Sequence, residues 1–279
     1  MIKGLYTAVS GMLTNLKLQD VVAESLANIN TVGFKRERAV ASEFGGVLAR
    51  RVEQSPSPFS RLPGGVTRTL GRVGAGSYVS NQLTNLGDGS ERETGVTLDF
   101  MLRGEGFFAV QGPDGTVYTR DGHFGRNAEN LIVTADGRPI LGIDGEPITL
   151  RTDVVRVTPD GRLFVEQEVE TTEPDGTVVT EIKEVLIGEF AVFKIEAQSL
   201  VPSDNSRYSV LTGGTATPVE LGQEAFVRQG SLEEANVEVT QLATQLMSLS
   251  RSFSAGQQVF ATVDETLRTA VTELGRVQR

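Results

Sequence analysis

The chain has 279 residues, enough for one large domain or two small ones, and sets 26 basic against 36 acidic residues for a net charge of −10. An acidic chain without a basic stripe repels phosphate, which argues against nucleic acid and anionic lipid as partners. The absence of cysteine removes disulfides, thiol catalysis and thiolate zinc sites, and no run of eighteen apolar residues is available to span a membrane.

The N-terminus, Met1-Ile2-Lys3-Gly4-Leu5-Tyr6, is soon interrupted by Thr7, Ser10, Thr14, Asn15 and Lys17, so it lacks the apolar run of a secretory signal. Export, if it occurs, is expected to use another route. Leu5, Val9, Met12, Leu16, Ala23 and Leu26 recur in steps of four and three, with Gln19 as the polar exception, and predict a heptad-patterned helix. Asn28-Ile29-Asn30-Thr31-Val32-Gly33 ends it, and Gly33 is expected in a turn at positive φ. Residues 1–42 form this first region. Residues 43–73, rich in Gly, Pro, Ser and Arg and including Pro56, Pro58 and Pro63, read as an extended connector.

Residues 74–225 have a different grammar. Asp-Gly pairs begin at Asp88, Asp114, Asp121, Asp136, Asp144, Asp160 and Asp175, a dipeptide favoured where both turn residues need positive φ. Strand-like runs lie among them: Phe107-Phe108-Ala109-Val110, Leu131-Ile132-Val133, Val154-Val155-Arg156-Val157 and Glu189-Phe190-Ala191-Val192-Phe193. The pattern predicts antiparallel β structure. Glu166, Glu168, Glu170, Glu173, Asp175, Glu181 and Glu184, with Val and Thr between them, predict a solvated hairpin on it.

Residues 226–279 return to the helical period. Leu232, Val239, Leu246, Phe253, Phe260, Leu267 and Leu274 recur every seventh residue. Each is followed three residues later by Ala235, Leu242, Leu249, Gly256, Val263, Ala270 and Val277. A repeat sustained this long predicts a coiled-coil helix over 232–277 that is marginal alone and wants a partner. The N-terminal seam could supply it within one chain, although terminal placement of two seams suits packing between subunits. The fold class expected is α+β, with N- and C-terminal coiled-coil helices flanking a central antiparallel β-rich domain.

Catalytic chemistry finds little support. His123 is the only histidine, so neither a triad nor a histidine metal site can be assembled, and no metal, cofactor or catalytic residue is assigned. Gly104-Glu105-Gly106-Phe107-Phe108-Ala109 fits a relaxed dinucleotide fingerprint but leads into an aromatic strand rather than a helix. Carboxylates are plentiful, yet nothing separates the pKa of one from another as glycoside hydrolysis requires.

Two segments at the N-terminal end carry a resemblance. Leu5-Tyr6-Thr7-Ala8-Val9-Ser10-Gly11-Met12 and Ser25-Leu26-Ala27-Asn28-Ile29-Asn30-Thr31-Val32-Gly33-Phe34-Lys35-Arg36 resemble the N-terminal signature of the flagellar basal-body rod and hook protein family. Glu24-Ser25 stands where that family has an Asn pair, and Ile29 where it has Val. Gly104 to Val110 with Tyr118-Thr119-Arg120-Asp121-Gly122-His123-Phe124, and Gln229-Gly230-Ser231-Leu232-Glu233-Glu234-Ala235-Asn236-Val237, are similar to its central and C-terminal patterns. The resemblance implies a structural subunit and no enzyme: helices paired as an inner layer lining a hollow axial tube, a β-rich domain outside, and torque passed to the hook. It further implies export by the flagellar type III apparatus without a cleaved signal peptide, placement in the basal body within the cell envelope, and self and neighbouring axial proteins as partners.

The subtype stays open among distal-rod, proximal-rod and Gram-positive hook–basal-body paralogue, with the long connector pointing toward the distal rod. The interface residues expected are Leu5, Val9, Met12, Leu16 and Leu26 at one end, and Leu242, Leu246, Leu249, Phe253, Phe260, Val263 and Leu267 at the other. The signature residues are Leu26, Ala27, Asn28, Asn30, Thr31, Gly33, Phe34 and Lys35. The competing function is a secreted binding module or peptidoglycan-contacting protein reusing the same scaffold.

Overall fold

The structure, a computed structural model, describes residues 2–45, 47–53, 66–113, 115–152, 154–172, 178–203, 207–211 and 214–276. Helix α1 (Ile2–Ala27), a β-rich middle and helix α2 (Val239–Arg276) follow one another, an α+β arrangement. The chain divides into two compact units: Met1–Glu24 with Arg38–Gln82 and Thr240–Arg279, and Ser25–Glu37 with Leu83–Val239.

The first unit is built on the two helices. Strand Glu37–Glu43 pairs with strand Ser77–Thr84, and this ribbon is tied to α1 through Ser77, whose hydroxyl donates to Thr14 Oγ1 at 3.0 Å. Thr14 Oγ1 in turn donates to the Ser10 carbonyl at 2.9 Å. Residues 43–73, expected as an extended connector, instead carry an antiparallel hairpin in which Val47–Glu53 pairs with Val66–Val73. The reason is local: β-branched Val47 and Val52 lie in one strand and Val66, Thr67, Thr69 and Val73 in the other, whereas Pro56, Pro58 and Pro63 are confined to the stretch between them, which lies outside the described residues.

The second unit is a β domain. Its largest sheet runs in the order Leu200–Pro202, Arg207–Val210, Thr116–Thr119, Phe107–Gln111, Val192–Ile195, Ala216–Pro218, antiparallel throughout. Phe107–Gln111 is central and covered on both sides, so alternate residues enter different cores. Phe108 and Val110 join Phe100, Phe124, Ile132, Ile140 and Phe190, while Phe107 and Ala109 join Tyr118, Leu200 and Tyr208. Phe108 meets both Phe124 and Phe190 edge-on at 5.4 Å between ring centres. The acidic hairpin expected over 166–184 is present: Arg162–Thr172 pairs with Val178–Glu189, and Glu173 and Asp175 lie outside the described residues.

The Asp-Gly turns differ from expectation in type. At Asp136, Asp144 and Asp160 only the glycine takes positive φ, 77–78° at Gly137, Gly145 and Gly161. In each, one backbone N–H closes a turn and another closes a five-residue loop: Gly137 N–H donates to Thr134 O and Thr134 N–H to Arg138 O. Gly142–Glu146 and Thr158–Arg162 repeat the pattern. This is a type I turn followed by a left-handed residue, which leaves Asp in the right-handed region that an L side chain prefers. Asp114 and Asp175 lie outside the described residues.

Helix α2 starts later than its heptads predict. Leu232 keeps the period but belongs to strand Ser231–Glu233, paired with Glu91–Glu93. Asn236 then donates its side-chain amide to the carbonyls of Asn85 and Gly87, both at 2.8 Å, and helix begins only at Val239. Tertiary partners for Glu233 and Asn236 override the period over those residues. Val277 lies outside the described residues.

Candidate assembly interface

The helix faces and the signature loop are the two features that the sequence singles out. Along α2 the protected positions follow the predicted steps of three and four. Leu242 is buried, and Leu246, Leu249, Phe253, Gly256, Val263, Leu267 and Ala270 are half-buried. Phe260, on the same line, is 38% exposed. The small Gly256, which breaks the apolar seam, lies against Met12: a Cβ there would stand 2.7 Å from Met12 Cγ, so only glycine admits the methionine so closely.

Along α1 the predicted line divides. Leu5, Val9, Met12 and Leu26 are half-buried, whereas Leu16 is 40% exposed and Ala23 is also exposed. The enclosed residues of α1 are instead Thr14, which receives the Ser77 hydroxyl, and Val21, Val22 and Ser25. Val9, Met12, Leu13 and Leu16 line an open groove with Phe253, Gln257 and Phe260. Leu13, absent from the predicted seam, is 61% exposed at its rim. The groove is largely apolar, a surface that water covers at a cost.

The signature residues do a different job. Asn28 O accepts the Thr31 N–H at 3.1 Å, and Thr31 Oγ1 donates to Asn28 Oδ1 at 3.2 Å, turning the chain just past α1. Asn30 and Ala27 are exposed, while Gly33, Phe34 and Lys35 are buried. Gly33 sits at φ 66°, as expected, and its N–H donates to the Glu233 carbonyl at 2.8 Å. A Cβ on Gly33 would lie 2.3 Å from the Arg120 carbonyl carbon.

Beneath the turn is a charged cluster that sequence reading did not assign. Glu233 is 1% exposed, and its Oε1 accepts Lys35 Nζ and the Gly89 N–H, each at 2.7 Å. Its Oε2 accepts Arg120 NH1 at 3.2 Å. Lys35 Nζ also donates to the Gly87 carbonyl at 2.9 Å. The Arg120 guanidinium, above the Phe107 ring at 5.4 Å, donates to the carbonyls of Leu102, Gly104 and Gly106 and lies 3.6 Å from Asp88. Two buried cations share the buried Glu233 carboxylate, and the second carboxylate, Asp88, is 43% exposed at the edge of the cluster. Burial holds the Lys35 ammonium below its ordinary pKa, helped by the Arg120 charge and opposed by Glu233. The only sequence signal was the quoted motifs containing Arg120 and Glu233, since no local period links residues this distant.

The lone histidine is held in a smaller arrangement. His123 Nδ1 lies 2.7 Å from Asp99 Oδ1, and Asp99 Oδ2 accepts Thr94 Oγ1 at 2.6 Å. Asp121, whose carboxyl is pushed up by burial, accepts the His123 N–H at 2.9 Å. These contacts close a turn. Among the described residues no three of His, Cys, Asp and Glu gather as metal ligands, and no described helix is long and apolar enough to cross a membrane.

Comparison with known proteins covers the whole length. Residues 5–35 match the family described as flagella basal body rod protein, 101–215 the flagellar hook protein FlgE/F/G D1 domain, and 228–273 the flagellar basal body rod FlgEFG protein C-terminal region. The chain is 30% identical over 293 residues to the flagellar hook-basal body complex protein FlhO of Bacillus subtilis, covering 99% of this chain and 100% of that protein. It is 28% identical over 276 residues to the flagellar basal-body rod protein FlgG of the same organism, covering 97% and 98%. With FlgG of Caulobacter vibrioides it shares 29% over 269 residues, covering 95% and 97%.

Proposed function

Because this chain belongs to the flagellar basal-body rod and hook protein family, whose members are structural components of the flagellum, we propose that it is a rod-type subunit that polymerises through its terminal helices. In this reading the helices pair as a coiled-coil inner layer around a hollow axial tube. The β domain forms the outer part, and the polymer passes torque to the hook. Subunits leave the cell through the flagellar type III apparatus and meet neighbouring axial proteins in the basal body.

One observation carries the reading. Helix α2 has 38 residues and α1 only 26, so at about 1.5 Å per residue roughly 18 Å of α2 has no equal length of α1 to lie against. Yet the apolar line of α2 continues through Val263, Leu267 and Ala270. A seam longer than its intramolecular cover is completed by another subunit, and burial on assembly makes polymerisation the favourable step.

The test is Leu246→Asp in the source organism. A carboxylate on the half-buried seam is costly to enclose, so swimming and complete basal bodies are expected to be lost while the purified variant keeps the melting of its β domain. Complete basal bodies built from the variant would remove the helices from the interface.

A further inference from the structure

Helix α1 carries a second apolar seam beside the one that meets α2. Tyr6, Val9, Leu13 and Leu16 recur in steps of three, four and three, the spacing of one coiled-coil face. Tyr6 is 69% exposed and Leu13 61%, whereas Met12, on the first seam, lies against Gly256 of α2. Val9, Leu13 and Leu16 form the groove between the helices with Phe253 and Phe260, and Gln257 is the single polar residue among those lining it. Such a lining offers a polar ligand almost nothing to bind. What it suits is the apolar face of a third helix.

The far end of α2 presents that face. The signature loop is bonded to the segment leading into α2, Gly33 N–H to the Glu233 carbonyl at 2.8 Å and Asn236 N–H to the Phe34 carbonyl at 3.3 Å. The end of α1 is thereby held near the start of α2. Met12 is about as far from the one as Gly256 is from the other, so the two helices run antiparallel. Ile2, ten residues before Met12, then comes level with about Thr266. Beyond that level α2 continues without α1 beside it. Leu267, Ala270 and Val271 follow there at the i, i+3, i+4 spacing by which a helix anchors in a groove, and Val271 is 70% exposed.

We infer that the Leu267–Val271 end of α2 in one copy lies in the groove between α1 and α2 of a second copy. One continuous helix supplies both the groove wall at Phe253 and Phe260 and the end that fills it, so that end cannot turn back into its own groove. The occupant is therefore the same segment of another copy. Groove and helix end are different patches, which makes the contact head-to-tail, the kind that propagates into an open polymer. Copies of one polarity joined this way are displaced along the helices by roughly 20 Å, the span from Gly256 to Ala270 at about 1.5 Å per residue. This inference rests on the self-assembly reading above, to which it adds the surface that receives the uncovered seam and the stagger between copies.

Cysteine cross-linking tests it, since the chain has no cysteine of its own. Leu13→Cys is combined in turn with Leu267→Cys, Ala270→Cys and Val271→Cys, and basal bodies isolated from each strain are oxidised and run on non-reducing gels. A disulfide forms only where the Cα atoms come within about 7 Å. At least one pair is expected to give a ladder of dimers, trimers and longer species that needs both cysteines. Complete rods that yield no ladder from any pair would overturn the contact. Dimers from Leu13→Cys alone would overturn it too, by placing α1 of the second copy in the groove. A parent chain absent from rods would fail the self-assembly reading, and this contact with it. Leu13→Asp gives a second readout: Leu13 is exposed in the single chain, so the purified variant is expected to melt as the parent does yet be lost from rods. Rods holding that variant at the parental level would remove the groove from the interface.

Discussion

Replacing Glu233 by alanine removes the hub of the buried cluster. Lys35 and Arg120, each with side chains 1% exposed, lose their shared carboxylate, and the Gly89 N–H loses its acceptor. Breaking a buried ion pair from one side costs about 3–5 kcal/mol, because the remaining charge is left uncompensated. Arg120 retains Asp88 and three carbonyls, so most of the loss falls on Lys35, which keeps only the Gly87 carbonyl among the contacts described above. For a unit of this size that cost lowers the melting temperature by roughly 6–20 °C. Thermal denaturation of the purified full chain, followed by circular dichroism and calorimetry, reads the shift. Adding Lys35→Met to Glu233→Ala removes the stranded charge and is expected to restore part of the loss. If Glu233→Ala melted within about 1 kcal/mol of the parent, the cluster would not be what holds the signature loop to the strand leading into α2.

Gly33→Ala forces an L side chain to φ 66° and drives a Cβ to 2.3 Å from the Arg120 backbone, so a loss above about 2 kcal/mol is expected in the same melts. An alanine variant of parental stability would mean that the turn relaxes freely. Burial raises the phenols of Tyr118 and Tyr208 above the ordinary value of 10.0, so above that pH the unfolded chain gives up protons that the folded chain retains. Stability therefore falls as pH rises past 10, and Tyr208→Phe is expected to flatten that slope in urea titrations. An unchanged slope would show that Tyr208 is reached by solvent in the fold.

What could be read in advance was what repeats locally. The heptads of α2 reappear as a protected line from Leu242 to Ala270, interrupted at the exposed Phe260, and Phe107-Phe108-Ala109-Val110 forms the central strand. Where a long-range partner outweighs the local pattern, the reading fails. Leu232 and Ala235 keep the period, but Glu233 and Asn236 are claimed by residues far away in sequence, so helix waits until Val239. The 43–73 stretch looked like a connector because its composition was averaged across prolines that fall between the strands rather than within them. The charged cluster joins positions separated by 113 and 198 residues, distances over which no spacing rule operates.

A clean deletion of the gene in the source organism, scored for swimming and for basal bodies by electron microscopy, tests the central claim most directly. The account predicts non-motile cells whose rods stop short of the hook, with the point of arrest placing the subunit along the axis. Motile cells with complete basal bodies would contradict it.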